Sequence, residues 1–203
     1  MLDISINCHS SIKIGNMYFD PYCIEYPTHD AKIVFITHSH HDHLSVKDVL
    51  AVSNDETAVV ATPDCVNALV SAGIAPSRIT TVKPDVKLTV KGVEVETFAA
   101  YNEDKSFHPR EKNWVGYIVT ADKERYCVIG DSDLNDSLVT IKCDYLFVPI
   151  GGTYTMTAAQ AAQLANLITP KLTVPTHYGK LVGSKEDEAT FVADVKVPYR
   201  ILI

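Results

Sequence analysis

Four histidines and an aspartate fall within six residues: His38, His40, His41, Asp42 and His43, in the run Thr37-His-Ser-His-His-Asp-His43. Imidazole and carboxylate are the donors that hold zinc and similar divalent ions. A solvated His-rich tract is the bland alternative. Such tracts are usually low-complexity and terminal, and this one is neither. Two further apolar stretches end on potential donors. Residues 125–130 run into Asp131 and Asp133, and residues 171–176 run into His177. A lone Asp after Gly is ordinarily a turn residue, so each is weak alone and gains weight from the shared context.

These donors need rigid elements behind them, and the hydropathy pattern supplies strands. Residues 32–37 read as a buried strand that delivers His38 to a loop, which is how many active sites are built. Short strands are expected at 3–7, 11–14 and 17–20, with Gly15-Asn16 as a hairpin turn. Others are expected at 79–82, 86–90, 93–99, 114–120, 125–129, 144–150, 171–175 and 199–202. Helices are expected at 64–72, capped by Asp64 and stopped by Gly73, and at 186–194. The clearest is 158–168. Thr157 and Gln160 form a capping box, Ala161, Leu164, Ala165 and Ile168 share a face, and Pro170 follows the end. Strands dominate both halves, a pattern that suits two packed sheets covered by helices.

The chain has 203 residues, 46% of them hydrophobic, which suits one domain spanning 1–203. No apolar run reaches the roughly 18 residues of a membrane span. The N-terminus lacks a basic leader, so no signal peptide is expected. Five scattered cysteines without a CxxC pair read as reduced thiols of a cytoplasmic protein, mostly core fillers. A formal net charge of -7 argues against a general nucleic-acid binder.

The chain resembles the metallo-β-lactamase-fold hydrolase superfamily, whose hallmark His-x-His-x-Asp-His stands here as His38-Ser39-His40-His41-Asp42-His43. Cys8-His9-Ser10-Ser11 and Tyr18-Phe-Asp20-Pro21 look like the first strands of the group related to ascorbate-phosphate lactonases. Gly130-Asp131-Ser132 is similar to the superfamily's Gly-Asp-Thr element. Residues 150–156 and 174–179 look like that group's last two elements. The resemblance implies an α+β fold, a four-layer αββα sandwich, with two divalent ions at one edge. Zinc leads, with manganese or iron as alternatives. It implies His38 and His40 on the first ion, Asp42, His43 and His177 on the second, and Asp131 between them. His41 holds a variable position and is expected at the pocket wall or in the core.

One departure matters. The superfamily supplies a third His to the first ion from a loop after a mid-chain strand, and here residues 93–99 run into Ala100-Tyr101-Asn102 with no His. His108 lies nine residues past Ala99. Either it swings in, as ligand or pocket contact, or the first ion keeps two His and the bridging Asp.

The resemblance implies a metal-dependent hydrolase acting on a small anionic ester, lactone or phosphodiester through a shared, acidified water. Asp42 is the expected base and proton shuttle. Asn102, His108 and Tyr154 are expected to face the substrate, and Lys180 and Arg110 are candidate anion contacts. Gly151 and Gly152 would either allow a ligand close to the backbone or form a tight turn feeding the Thr157 cap. No nucleic acid or membrane partner is expected, and self-association is left open. The competing reading is a metal-binding or nucleotide-sensing protein with little turnover, motivated by the missing mid-chain His.

Overall fold

The computed structural model describes residues 2–203. Two six-stranded mixed sheets carry the chain. The first holds β1 (Ile4–Cys8), β2 (Ser11–Ile14), β3 (Met17–Phe19), β4 (Ile33–Ile36), β5 (Ala58–Ala61) and β6 (Ile79–Thr81), side by side in chain order. Helix α1 (Val46–Val52) joins β4 to the parallel β5, and α2 (Val66–Ser71) joins β5 to the parallel β6. The second sheet holds β7 (Lys87–Val90), β8 (Val93–Ala99), β9 (Val115–Ala121), β10 (Glu124–Val128), β11 (Tyr145–Pro149) and β12 (Leu172–Thr176). Helix α3 (Ala158–Ile168) crosses between the parallel β11 and β12, and α4 (Lys185–Asp194) follows.

Successive strand side chains point to opposite faces, and here each face has its own core. Ile33 and Phe35 enter a cluster with Val115, Tyr117 and Phe147 of the other sheet. Their neighbours Val34 and Ile36 meet Val49, Val52 and Leu69 of α1 and α2. Leu146 and Val148 meet Ala161, Leu164 and Ala165 of α3. Three apolar layers between four layers of structure make an αββα sandwich, with both inner strands apolar on both faces.

Local chemistry agrees at the turns. Lys91 with Gly92, and Asp122 with Lys123, have positive φ at both positions, the geometry that matches strand twist in a two-residue hairpin. The Thr157–Gln160 capping box is present, and Ser184 caps α4 in the same way.

The expected helix at 64–72 is shorter: a 3₁₀ turn at Pro63–Cys65 precedes α2. Asp64 does not cap it. Its carboxylate accepts from Trp114 Nε1 at 2.8 Å instead. The expected strand at 199–202 reduces to one bridge between Tyr199 and Thr173. Helix α1 and strand β5 went unread. Each is short, and only packing between β4 and β6 defines them. Among the described residues no helix is long and apolar enough to cross a membrane. Cys65 and Cys127 are core residues as expected, and burial pushes the Cys65 thiol up to about 12.

Candidate metal centre

Strand β4 ends at Ile36, and the chain turns at once. The amides of His43 and Leu44 both donate to the His40 carbonyl. This tight turn sends His38 and His40 to one side and Asp42 and His43 to the other. Thr37 closes the sandwich edge, its carbonyl accepting from Val115 N at 3.2 Å. After β10, Gly130 (φ +71) delivers Asp131; a Cβ there would stand 3.2 Å from the Val115 carbonyl and 3.3 Å from Thr37 Cγ2. Glycine therefore lets this strand end close against the β4 end. His177 follows β12, and its amide donates to the His9 carbonyl at 3.0 Å.

The donor atoms form two sets, joined by a third group of His38, His43 and Asp131 whose ligand atoms also lie within 4.8 Å of one another. Ligand atoms of His38, His40 and His108 lie within 4.8 Å of one another, and so do those of His9, Asp42, His43 and His177. Asp131 stands between the sets. Its Oδ2 is 3.2 Å from His108 Nε2 and 3.0 Å from His177 Nε2, and its Oδ1 is 3.3 Å from His43 Nε2. His38 Nε2 faces His40 Nδ1 at 3.1 Å. Trp114 lies behind this set, its ring centroid 4.8 Å from that of His38 and 4.7 Å from that of His40.

Buried partners fix which nitrogen of each ring faces inward. Asp20 accepts from the Thr37 amide at 2.8 Å and the Thr37 hydroxyl at 2.7 Å, and its Oδ2 lies 2.7 Å from His43 Nδ1. With its hydrogen given to Asp20, the Thr37 hydroxyl accepts from His38 Nδ1, 3.0 Å away. Both rings thus turn Nε2 to the centre. On the other sheet His108 Nδ1 lies 3.0 Å from Asn102 Oδ1 and turns its Nε2 inward too. Such partners set ligand orientation and basicity at metal sites.

Electrostatics follow from this crowding. Burial, with His43 nearby, holds His38 well below the ordinary histidine range, and burial holds His9 down at about 4. Burial works against charge on His43 as well, but Asp131 and Asp20 outweigh it and hold the ring well above its ordinary range. Asp131 and Asp42 are held well below the usual carboxylate range despite burial, chiefly by His177 and His43 for the first and His43 and His9 for the second.

This constellation fits a metal pair on its own geometry. His43 Nε2, His108 Nε2, His177 Nε2 and Asp131 Oδ1 are buried and find no well-formed hydrogen bond, a costly arrangement unless another partner takes them. A set of imidazole nitrogens and carboxylate oxygens suits a borderline divalent ion.

A beta-lactamase superfamily domain model matches residues 5–178. A UPF0173 protein of Pyrococcus abyssi is 30% identical over 157 residues, 76% of this chain and 70% of its own. The chain belongs to the beta-lactamase superfamily, in its UPF0173 group. A UPF0173 metal-dependent hydrolase of Methanosphaera stadtmanae is 25% identical over 93% of this chain and 88% of its own. Among solved structures, that of a candidate metal-dependent hydrolase from Parabacteroides distasonis has a TM-score of 0.83 at 30% identity, covering 99% of this chain and 92% of that one. The protein is a metal-dependent hydrolase of this family.

Within that frame the structure brings His38, His40, Asp42, His43, Asp131 and His177 together, and His108 with them. The loop from Tyr101 to His108 brings His108 beside His38 and His40, the side where the motif pattern lacked a histidine. It is pinned by Asn102, and by Asp133, which takes the Glu103 amide and Lys105 rather than facing the donors. A pocket of about 400 Å³ opens above, lined by His40, Asp42, His108 and Asp131 below and by Phe107, Tyr154, Leu181 and Val182 around the mouth. His41 stands at its wall, its side chain 82% exposed.

Three expectations need correction. Asn102 is buried and does not line the pocket. Its side chain holds His108 and donates to the Tyr154 carbonyl at 2.9 Å. The approach allowed by Gly151 is to protein: a Cβ there would sit 2.4 Å from the His177 carbonyl. Arg110 lies over the Tyr101 ring, Lys180 is exposed, and neither lines the pocket. His9, Asp20 and Thr37 stood within the motif elements but were assigned no role from the sequence. Asp20 lies at the end of β3, where a buried carboxylate beside a His-rich strand end is a usable signal. For His9 the signals were its place in the Cys8–Ser11 element and at a hairpin tip.

Proposed function

We propose that the protein binds two divalent ions, zinc first among them, and hydrolyses a small ester, lactone or phosphodiester in the cytoplasm. The observation that carries this reading is Asp131, whose two oxygens face donors of both sets at the floor of one open pocket. His38, His40 and His108 would hold one ion, and Asp42, His43 and His177 the other. Two ions in such a site supply an acidified water and stabilise charge developing on the attacked group.

The chain's own residues supply the rest. Asp42 turns Oδ2 toward His9 and His43, while its Oδ1 lies 3.7 Å from His41 Nδ1 on the pocket side. That second oxygen can orient a water and take its proton. A carboxylate held low in pKa is ionised at neutral pH, so it can orient the water and pass its proton on, while being too weak a base to keep it. Asp20 and Asn102 keep the rings aimed. Elements around Cys8-His9-Ser10-Ser11 and at 150–156 support a place near the lactonases related to ascorbate phosphate, as a reading of motif likeness. The reading without turnover rested on a depleted first set, and His108 removes that motive.

The test is elemental analysis of chelated and zinc-reloaded protein, with lactone, carboxylic ester and phosphodiester hydrolysis assayed in both forms. About two ions per chain and turnover restored only by reloading are expected. One ion, or turnover indifferent to chelation, would refute the paired site.

A further inference from the structure

The pocket has two chemistries. Its floor is histidine and aspartate, and its mouth is apolar. Phe107, Tyr154 and Leu181 are 46%, 38% and 48% exposed, and all three line this mouth. Single exposed apolar residues need no explanation, but several converging on one concavity mark a binding surface. They come from three distant segments. Phe107 directly precedes His108, Tyr154 follows β11, and Leu181 lies just past His177. Phe107 meets the Tyr154 ring at right angles, the centroids 4.6 Å apart. Segments that carry donors or their anchors thus also carry the apolar rim.

Charge at the mouth is as telling. Among the described residues no lysine or arginine lines the pocket. Arg110, a cation beside the donor loops, lies over the Tyr101 ring instead. An anionic arm would press against Phe107, Leu181 and Val182 with no side-chain cation to meet it, and burying an unpaired charge is costly.

We propose that the substrate is a small uncharged ester or lactone with an apolar arm. The arm lies between the Phe107–Tyr154 pair and Leu181–Val182, and the reacting carbonyl sits over the floor. This rests on the hydrolase reading above, narrows it, and replaces the anionic substrate expected from the sequence with an uncharged one. The water oxygen bonds to the carbonyl carbon, the C–O bond to the alcohol breaks, and the departing alkoxide takes up the proton that water gave. An acid and an alcohol result, or one hydroxy acid from a lactone, and no oxidant or reductant is needed.

The experiment uses zinc-loaded protein and γ-lactones with alkyl arms of increasing length, beside bis(p-nitrophenyl) phosphate. Binding of the neutral fluorophore N-phenyl-1-naphthylamine is followed separately. Leu181→Ser and Phe107→Ala are compared at equal metal content, since both side chains are exposed enough for the fold to tolerate the change. Expected is a rise in kcat/KM of about two- to fourfold per methylene, flattened in both variants, with fluorophore binding weakened in parallel. Lactone turnover that ignores arm length, or a preference for the phosphodiester, would overturn the proposal and leave the hydrolase standing. If nothing is turned over, the reading of an ester, lactone or phosphodiester substrate falls. Fluorophore binding lost in the variants would then still support an apolar-arm site, and no binding would overturn it.

Discussion

The two donor sets are built in different ways. His177 directly follows the end of β12, His43 lies in the tight turn beyond β4, and His9 occupies the turn between β1 and β2. All three are fully buried, and backbone ties His177 to His9. In the other set His40 is partly exposed, and His108 arrives on a loop that leaves β8 and folds back. A strand end inherits its position from the whole sheet. A loop-borne donor depends on the few bonds that pin the loop, here Asn102 and Asp133. The His38–His40–His108 set should therefore be the more easily disturbed half of a centre whose two halves both face Asp131.

The strongest challenge to that contrast is the bridge itself. In Asp131→Ala both halves lose a carboxylate oxygen, and the His43, His108 and His177 nitrogens lose their charged neighbour. Metal content by elemental analysis should fall from about two ions per chain to one or fewer, with hydrolysis lost. An unchanged content would mean that Asp131 is not shared and the two sets are unrelated.

His108→Ala and His177→Ala separate the halves. The first should cost one ion and leave the other in place; the second should lower the affinity of the Asp42–His43 half. Titration with cobalt, read by visible absorption, distinguishes the two. If His108→Ala strips both ions, the halves are one cooperative unit and the distinction drawn here fails.

Acidity gives a further contrast. In chelated protein His43 is held protonated above its ordinary range by Asp131 and Asp20, whereas burial keeps His38 and His40 below theirs. Ligands must be deprotonated to bind. Loading of the His43 half should thus strengthen by about tenfold per pH unit while one proton is displaced, and the His38 half should load evenly at neutral pH. The stability sign is opposite. A raised histidine contributes to the chelated fold below its unfolded value of about 6.5 and loses that contribution as pH rises through the folded one. Chelated protein should weaken over the range in which loading improves. Asp20→Asn removes one cause of the raised value and should flatten the loading curve. Calorimetric metal titrations at several pH values would read both slopes, and parallel slopes for the two halves would contradict the assignment.

What could be read from residues alone divides along the same line. Donors that directly follow apolar strands, His38, Asp131 and His177, stand out because periodicity marks the strand and residue type marks the donor. The sandwich was legible for the same reason, with apolar runs bounded by turns. His9 was not, because a hairpin-tip histidine acquires meaning only when β1 meets the end of β12. Helix α1 and β5 were missed because seven and four residues carry too little pattern. His108 could be suspected from a gap in the motif, but the Asn102 bonds that return the loop are tertiary facts. The rim of Phe107, Tyr154 and Leu181 joins three segments that no local pattern connects.

Asn102 provides the finest probe. Its Oδ1 receives both the backbone and the ring N–H of His108, and its amide N–H donates to the Tyr154 carbonyl. Asn102→Ala leaves every donor present but frees the His108 ring to rotate. The removal of a ligand's orienting partner typically costs about 10–100-fold in metal affinity. Here the loop is still pinned at Asp133, so a loss near the lower end, about tenfold, is expected. It should be confined to the His38–His40–His108 half in the cobalt titration. An equal loss in both halves would show that Asn102 acts through general destabilisation. No loss would show that the loop holds His108 without it, making the loop-borne donor as firmly placed as those at the strand ends.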